Sequence, residues 1–118
     1  MKTTEEKMKK FFFISFVFLL CCLYFDVTST YLGVTSNTPP TNPFRGIYFE
    51  ANTLARSYML KYNIPFGLYL TALKVTFIYT LSYFLFKYIP GIRIIAGLLF
   101  IYQGLRHIKG GLSWFPHF

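Results

Sequence analysis

The stretch from Ile64 to Phe86, IPFGLYLTALKVTFIYTLSYFLF, carries a single charge, Lys74, near its middle. Its 23 residues make a helix of roughly 34 Å at 1.5 Å per residue, enough to cross a hydrocarbon core of about 30 Å. A lysine at that depth costs about 2.5–3.5 kcal/mol on insertion scales, so it needs a partner or a watery cavity. The chain holds four acidic residues in all, and only Asp26 and Glu50 stand where a helix could bring them to it.

The composition points the same way. Charged residues make up 14% of the chain, against about 25% in a soluble domain, while 54% are apolar and 22% aromatic. At 118 residues there is room for one domain. The net charge of +8 comes from lysines and arginines that flank apolar runs rather than line a polar face, which argues against a nucleic-acid partner. Cys21 and Cys22 are adjacent, a spacing that disfavours a disulfide, and read as small apolar residues in a helix. His107 and His117 lie far from both cysteines without further ligands at zinc spacing, so neither a metal nor a cofactor is expected.

Along the chain, Met1 to Lys10 is polar and basic, and Phe11 to Val34 is apolar until Asp26. A basic start before an apolar run resembles a signal peptide. Thr28-Ser-Thr30 is a poor small-residue cleavage site, however, and neither cysteine follows the Ala, Ser or Gly of a lipoprotein site, so a retained span over about 11–34 is predicted. Thr35 to Arg45 breaks the pattern with Pro39-Pro40, and Asn42-Pro43 offers a helix start. From there to Tyr62, Ile47, Ala51, Leu54, Ala55, Tyr58 and Tyr62 recur at helical spacing opposite Thr53, Arg56, Ser57 and Lys61. That reads as an amphipathic interfacial helix over about 43–62. Asn63-Ile-Pro65 turns the chain into the central span, 64–88. Pro90-Gly91 leads to a third, 90–108, interrupted by Gln103 and Arg106. In that last helix Gly97 and Gly104 share a side two turns apart, where small residues admit a neighbouring backbone. Gly110 to Phe118 reads as an aromatic tail suited to the interface.

With three spans, a cytoplasmic N-terminus leaves Lys2, Lys7, Lys9, Lys10, Lys87 and Arg93 inside and five basic residues outside, and the first helix has the denser inner flank. In this arrangement Asp26 and Lys74 differ in depth by roughly 7 Å, and their side chains lean toward each other along antiparallel helices. An Asp26–Lys74 pair is therefore predicted. Ser29, Thr30 and Thr71 lie one turn away on the same faces, with Glu50 and Asn52 near the outer mouth of the cluster.

Asp26-Val-Thr-Ser-Thr30, then Glu50-Ala-Asn52, then a membrane-embedded lysine, together resemble a family of small prokaryotic integral membrane proteins of unknown function. That family has an Asp-x-x-Thr-Thr segment, a Glu-Ala-Asn-Pro segment and a lysine in the next span; Thr53 stands where it has proline. The resemblance covers about Leu23 to Tyr79. It implies about three spans and a functional interest in these polar residues, and supplies no reaction.

The resulting expectation is an all-α, multi-pass protein of the cell membrane: three transmembrane helices, with an amphipathic interfacial helix between the first and second. Asp26, Lys74, Glu50 and Asn52 form a polar clasp, and the role is structural or in assembly rather than enzymatic. Three short spans bury little surface alone, which points beyond the lipid bilayer to a homo-oligomer or a larger membrane complex. The alternative is a small transporter or ion-conducting oligomer using the Asp26–Lys74 pair.

Overall fold

The computed structural model describes residues 4–39, 41–42, 44–48, 50 and 52–118. Among these the chain is all-helical, with five α-helices, two short 3-10 turns and no strand. The first helix, α1 (Thr4–Ser36), has 33 residues and is roughly 50 Å long. It begins seven residues before the predicted span because its polar start is itself helix-forming. Glu5 and Glu6 sit in the first turn, against the positive end of the helix dipole, and Glu5 pairs with Lys9 one turn on at 3.7 Å. At the other end the Asn37 side-chain amide donates to Gly33 O and the Thr38 hydroxyl to Val34 O, satisfying carbonyls that the helix leaves open.

The predicted 43–62 helix is divided in two, α2 (Arg45–Tyr48) and α3 (Thr53–Lys61), and residues 43, 49 and 51 lie outside the described set. The division has a local cause. Asn52 is extended, and its side-chain oxygen accepts from the amides of Leu54 and Ala55, starting a new helix there. At Asn42, the predicted helix start, the side-chain oxygen accepts from Phe44 N at 3.3 Å and the carbonyl from Arg45 N at 3.3 Å. Of the predicted apolar face, Ile47 and Ala55 are buried while Tyr62 is exposed. Asn63 then caps α4 (Ile64–Lys87) through Phe66 N at 2.7 Å, with Pro65 in the first turn where its missing N–H costs nothing. α3 folds back on the start of α4, and Gly67 permits this. A methyl group there would stand 2.6 Å from Met59 Cα.

A 3-10 turn, Pro90–Ile92, leads into α5 (Arg93–Leu112). Two helices, α1 and α4, are long and apolar enough to cross a membrane. The predicted third span, 90–108, is not: Arg93, Gln103, Arg106, His107 and Lys109 make α5 too polar. α5 lies along α1 in the same chain direction, its contacts climbing in step. Methyl groups at Gly97, Gly104 and Gly111 would meet the ring edges of Phe11, Phe18 and Phe25 at 2.6, 2.8 and 2.5 Å. Both rows repeat every seven residues, the period that keeps one seam facing its partner in a left-handed pair. α4 runs back against this pair through an aromatic cluster, with ring centroids 4.9 Å apart for Phe12 and Tyr83 and 4.6 Å for Phe16 and Tyr83.

Of the C-terminal aromatics, Phe115 and Phe118 are exposed, while Trp114 is buried. Gly110 and Gly111 close the last turns of α5, and Trp114 folds inward, its indole lying on Gly33. There it joins Val34, Ile47, Ala55, Met59 and Leu68 in a buried cluster at one end of the bundle. Asn37 Nδ2 donates to His117 O at 2.9 Å and ties down the 3-10 turn Phe115–His117.

Candidate functional site

The α1–α5 seam brings Asp26 to His107. Asp26 follows Phe25, the ring seated on Gly111, and His107 lies one turn before Gly111 on α5. The carboxylate has room because position 110 is also glycine: a methyl group there would stand 3.2 Å from Asp26 Oδ1. His107 Nδ1 lies 2.7 Å from Asp26 Oδ2, and His107 Nε2 lies 2.6 Å from the hydroxyl of Tyr79 on α4. Gln103, four residues before His107 and so on the same face of α5, donates its amide to the Tyr79 oxygen at 3.2 Å.

These four groups form a directional chain across three helices. Gln103 N–H donates to Tyr79 O, Tyr79 O–H donates to His107 Nε2, and His107 Nδ1–H donates to the Asp26 carboxylate. Each donor meets one acceptor when the imidazole is neutral with its hydrogen on Nδ1, an assignment that follows from the network rather than from observed hydrogens. With both ring nitrogens protonated, Tyr79 O would receive two donors and its own hydrogen would need a new acceptor. The Asp26 and His107 side chains retain 25% and 13% of their exposure, so the chain is shielded without being sealed.

Beside it a cleft of about 670 Å³ is lined by Asp26, Glu50, Asn52, Gln103, Arg106 and His107, among others. Glu50, 8% exposed, accepts from Asn52 N at 2.9 Å, so the residue that caps α3 is itself held by a buried carboxylate. A second, narrow cavity of about 40 Å³ is lined by Asp26, Thr30, Glu50, Asn52, Thr71 and His107 together with apolar residues. Thr71 donates to Gly67 O at 2.8 Å. Ser29 is buried on α1 but does not line either cavity.

The predicted Asp26–Lys74 pair does not form: the ion partner of Asp26 is His107, and Lys74 makes no ion pair among the described residues. The cause is helix rotation. Leu68, Thr71 and Val75 mark the side of α4 that faces the narrow cavity. At 100° per residue Lys74 is turned about 60° from Thr71 and about 100° from Val75. Lys74 is exposed and shares a shallow depression with Tyr58, Tyr62 and Phe77. The residues missing from the prediction are His107, Gln103 and Tyr79. The first two carried a usable signal, two uncharged polar groups at i and i+4 and so on one face of the helix; Tyr79 carried none, being one of 10 tyrosines.

Arginine 93 closes the opposite end of the bundle. Its side chain is 8% exposed, with Nη2 donating to Lys87 O at 2.8 Å and Nη1 3.5 Å from Glu5 Oε1. No family model matches the chain, and neither a curated protein nor a solved structure matches it.

Proposed function

We propose that this chain is a multi-pass integral membrane protein, N-terminus in the cytoplasm, that serves as a structural or assembly component of its membrane. The Asp26–His107–Tyr79–Gln103 chain acts as the clasp that holds its helices in register. The observation that carries this reading is that three hydrogen bonds among the clasp's own side chains join α1, α4 and α5. Pairing of polar groups across helices is what a low-dielectric setting favours. α1 and α4 cross the bilayer, and α5 completes the bundle by docking in the groove of α1.

Two further observations support a lipid setting. Only 28% and 17% of the most apolar windows of α1 and α4 are buried within the molecule, unlike the core helices of a soluble protein. Phe77, Leu81, Phe84 and Leu85 face outward along α4, and Ile95, Leu98, Leu99 and Tyr102 along α5. A monomer in water rarely exposes so continuous an apolar surface. The outward Lys74 supports the assembly half of the reading, since a charge at that depth calls for a partner from outside the subunit. The resemblance to small prokaryotic membrane proteins implies a membrane architecture and this choice of polar residues, and names no reaction.

A second reading has its own observation. The clasp forms part of the wall of the open polar cleft, where a small transporter or conducting oligomer would expose a proton-carrying group. One experiment separates the two. Asp26→Asn removes the charge-assisted bond to His107, and a clasp predicts a loss of about 1.5–3 kcal/mol in a detergent melt. Changing both partners, Asp26→Asn with His107→Gln, leaves neither group ionised and should cost less than the two single losses summed. Loss of vesicle flux in variants that remain stable would favour the transporter. Extraction of the wild-type chain from membranes by alkaline carbonate would sink both.

A further inference from the structure

The basic end of the bundle, remote from the clasp, contains a further cavity, and we propose that it binds a phosphate group, as found in an anionic lipid headgroup or in free phosphate. The cavity holds about 290 Å³ and is lined by Lys9, Phe12, Tyr83, Lys87, Tyr88 and Arg93. Three helices supply its cations: Lys87 and Arg93 flank the turn between α4 and α5, and Lys9 is brought to them by α1.

Arg93 gives the site its built character. The residue is 6% exposed, and its Nε–H is buried with no hydrogen-bond partner. A guanidinium held in a cavity wall with a donor unmet is an uncommon arrangement, because buried polar groups are almost always paired. Its planar fork matches the oxygens of a phosphate. The field at the site is positive: three cations line it, and among the described residues Glu5 is the carboxylate seen within ion-pair distance of them. Glu5 itself is 59% exposed and holds Lys9 and Arg93 only at 3.7 and 3.5 Å, long for ion pairs, so it can yield its position to a stronger anion. The N-terminus of α5 opens here without a side-chain cap, adding the positive end of its dipole.

The rings of Phe12, Tyr83 and Tyr88 decide how such a group would enter. They give the cavity an apolar rim beside its charges, the combination that an ester of phosphate with an acyl-bearing tail fits and a bare ion does not need. The lipid source rests on the membrane reading above; recognition of phosphate by the three cations does not.

The test uses the full chain in uncharged detergent with three probes at matched ionic strength: phosphatidylglycerol, phosphatidylcholine and inorganic phosphate. Phosphatidylglycerol should raise the melting temperature saturably by at least about 4 °C, and phosphatidylcholine should not. An equal rise with inorganic phosphate would support the site and identify a free anion as its occupant. A rise with phosphatidylglycerol alone would identify a lipid. The double variant Lys9→Gln/Lys87→Gln removes two exposed side chains, so its unliganded melt should match wild type while its apparent affinity falls about 25-fold. Absence of a saturable rise in the wild type, or an unchanged affinity in the double variant, would overturn the proposal. Should the chain prove soluble without detergent, the membrane reading fails, yet the inorganic phosphate arm still decides the site.

Discussion

Gly104→Ala is a small change whose sign tests the α1–α5 seam. The added methyl would stand 2.8 Å from Phe18 Cε1, 3.1 Å from Phe18 Cδ1 and 3.3 Å from Cys22 Sγ. Carbon atoms at ease lie about 3.5–4.0 Å apart, so the ring must retreat by at least about 0.7 Å or the helices must part. Overpacking of this kind costs about 1–3 kcal/mol. Alanine recovers about 0.5–1 kcal/mol over glycine in a helix, so the net change is a loss of up to about 2.5 kcal/mol. In a Phe18→Ala background the obstructing ring is gone, and Cys22 Sγ at 3.3 Å is the tight neighbour that remains to offset the helical preference. There the same substitution should stabilise, by up to about 1 kcal/mol. Gly91→Ala is the internal control: a methyl at Gly91 meets nothing within 4 Å, and its backbone φ is not positive, so its melt should be unchanged or slightly raised. The measurement is a set of denaturant or thermal melts in detergent on the four combinations of residues 18 and 104. If Gly104→Ala stabilises in both backgrounds, Phe18 does not press on this glycine and the close seam is refuted.

Other expectations follow from the same contacts. Tyr79→Phe strips the clasp of the hydroxyl that both Gln103 and His107 use, and should lower stability by about 1–3 kcal/mol without altering helix content by circular dichroism. Lys74→Met should leave the melt of an isolated subunit unchanged, since its side chain pairs with nothing described, but should shift any oligomer on a sizing column; an unshifted oligomer would remove the case for an assembly contact at Lys74. Gly33→Ala drives a methyl into the Trp114 indole and should cost about 1–3 kcal/mol, recovered in part by Trp114→Leu. Cysteines introduced near Lys7 should be protected from an outside label and those near Thr38 reactive; labelling at Thr38 only after permeabilisation would reverse the topology.

Much of the helical pattern could be read from residues alone, and the arrangement of partners could not. The central helix starts at Ile64 as its Asn63–Pro65 signal predicts, and it ends at Lys87, one residue short of the predicted limit. Gly97 and Gly104 do lie against a neighbouring helix. What periodicity cannot supply is which helix that neighbour is. Depth along the bilayer made Lys74 a reachable partner for Asp26, but depth says nothing of rotation, and α5 rather than α4 owns the longest seam with α1. The acid at position 26 was therefore visible as a polar point needing a partner, while the partner waited on the Phe–Gly register. Helix boundaries failed for a related reason: Asn52 competes with helix continuation by bonding its own downstream amides, a local choice hidden behind a continuous apolar stripe.

Trp114 is the only tryptophan in the chain, and it is buried on Gly33 at one end of the bundle. The protein thus carries its own optical probe, sited at the clasp end of a molecule 63 Å long. Emission at long wavelength reports water reaching that indole when the α1 and α5 termini separate. Loosening of the Arg93 end would leave the spectrum untouched. Comparing the fluorescence midpoint with the far-ultraviolet circular dichroism midpoint therefore asks whether the rod melts as one unit or frays from an end.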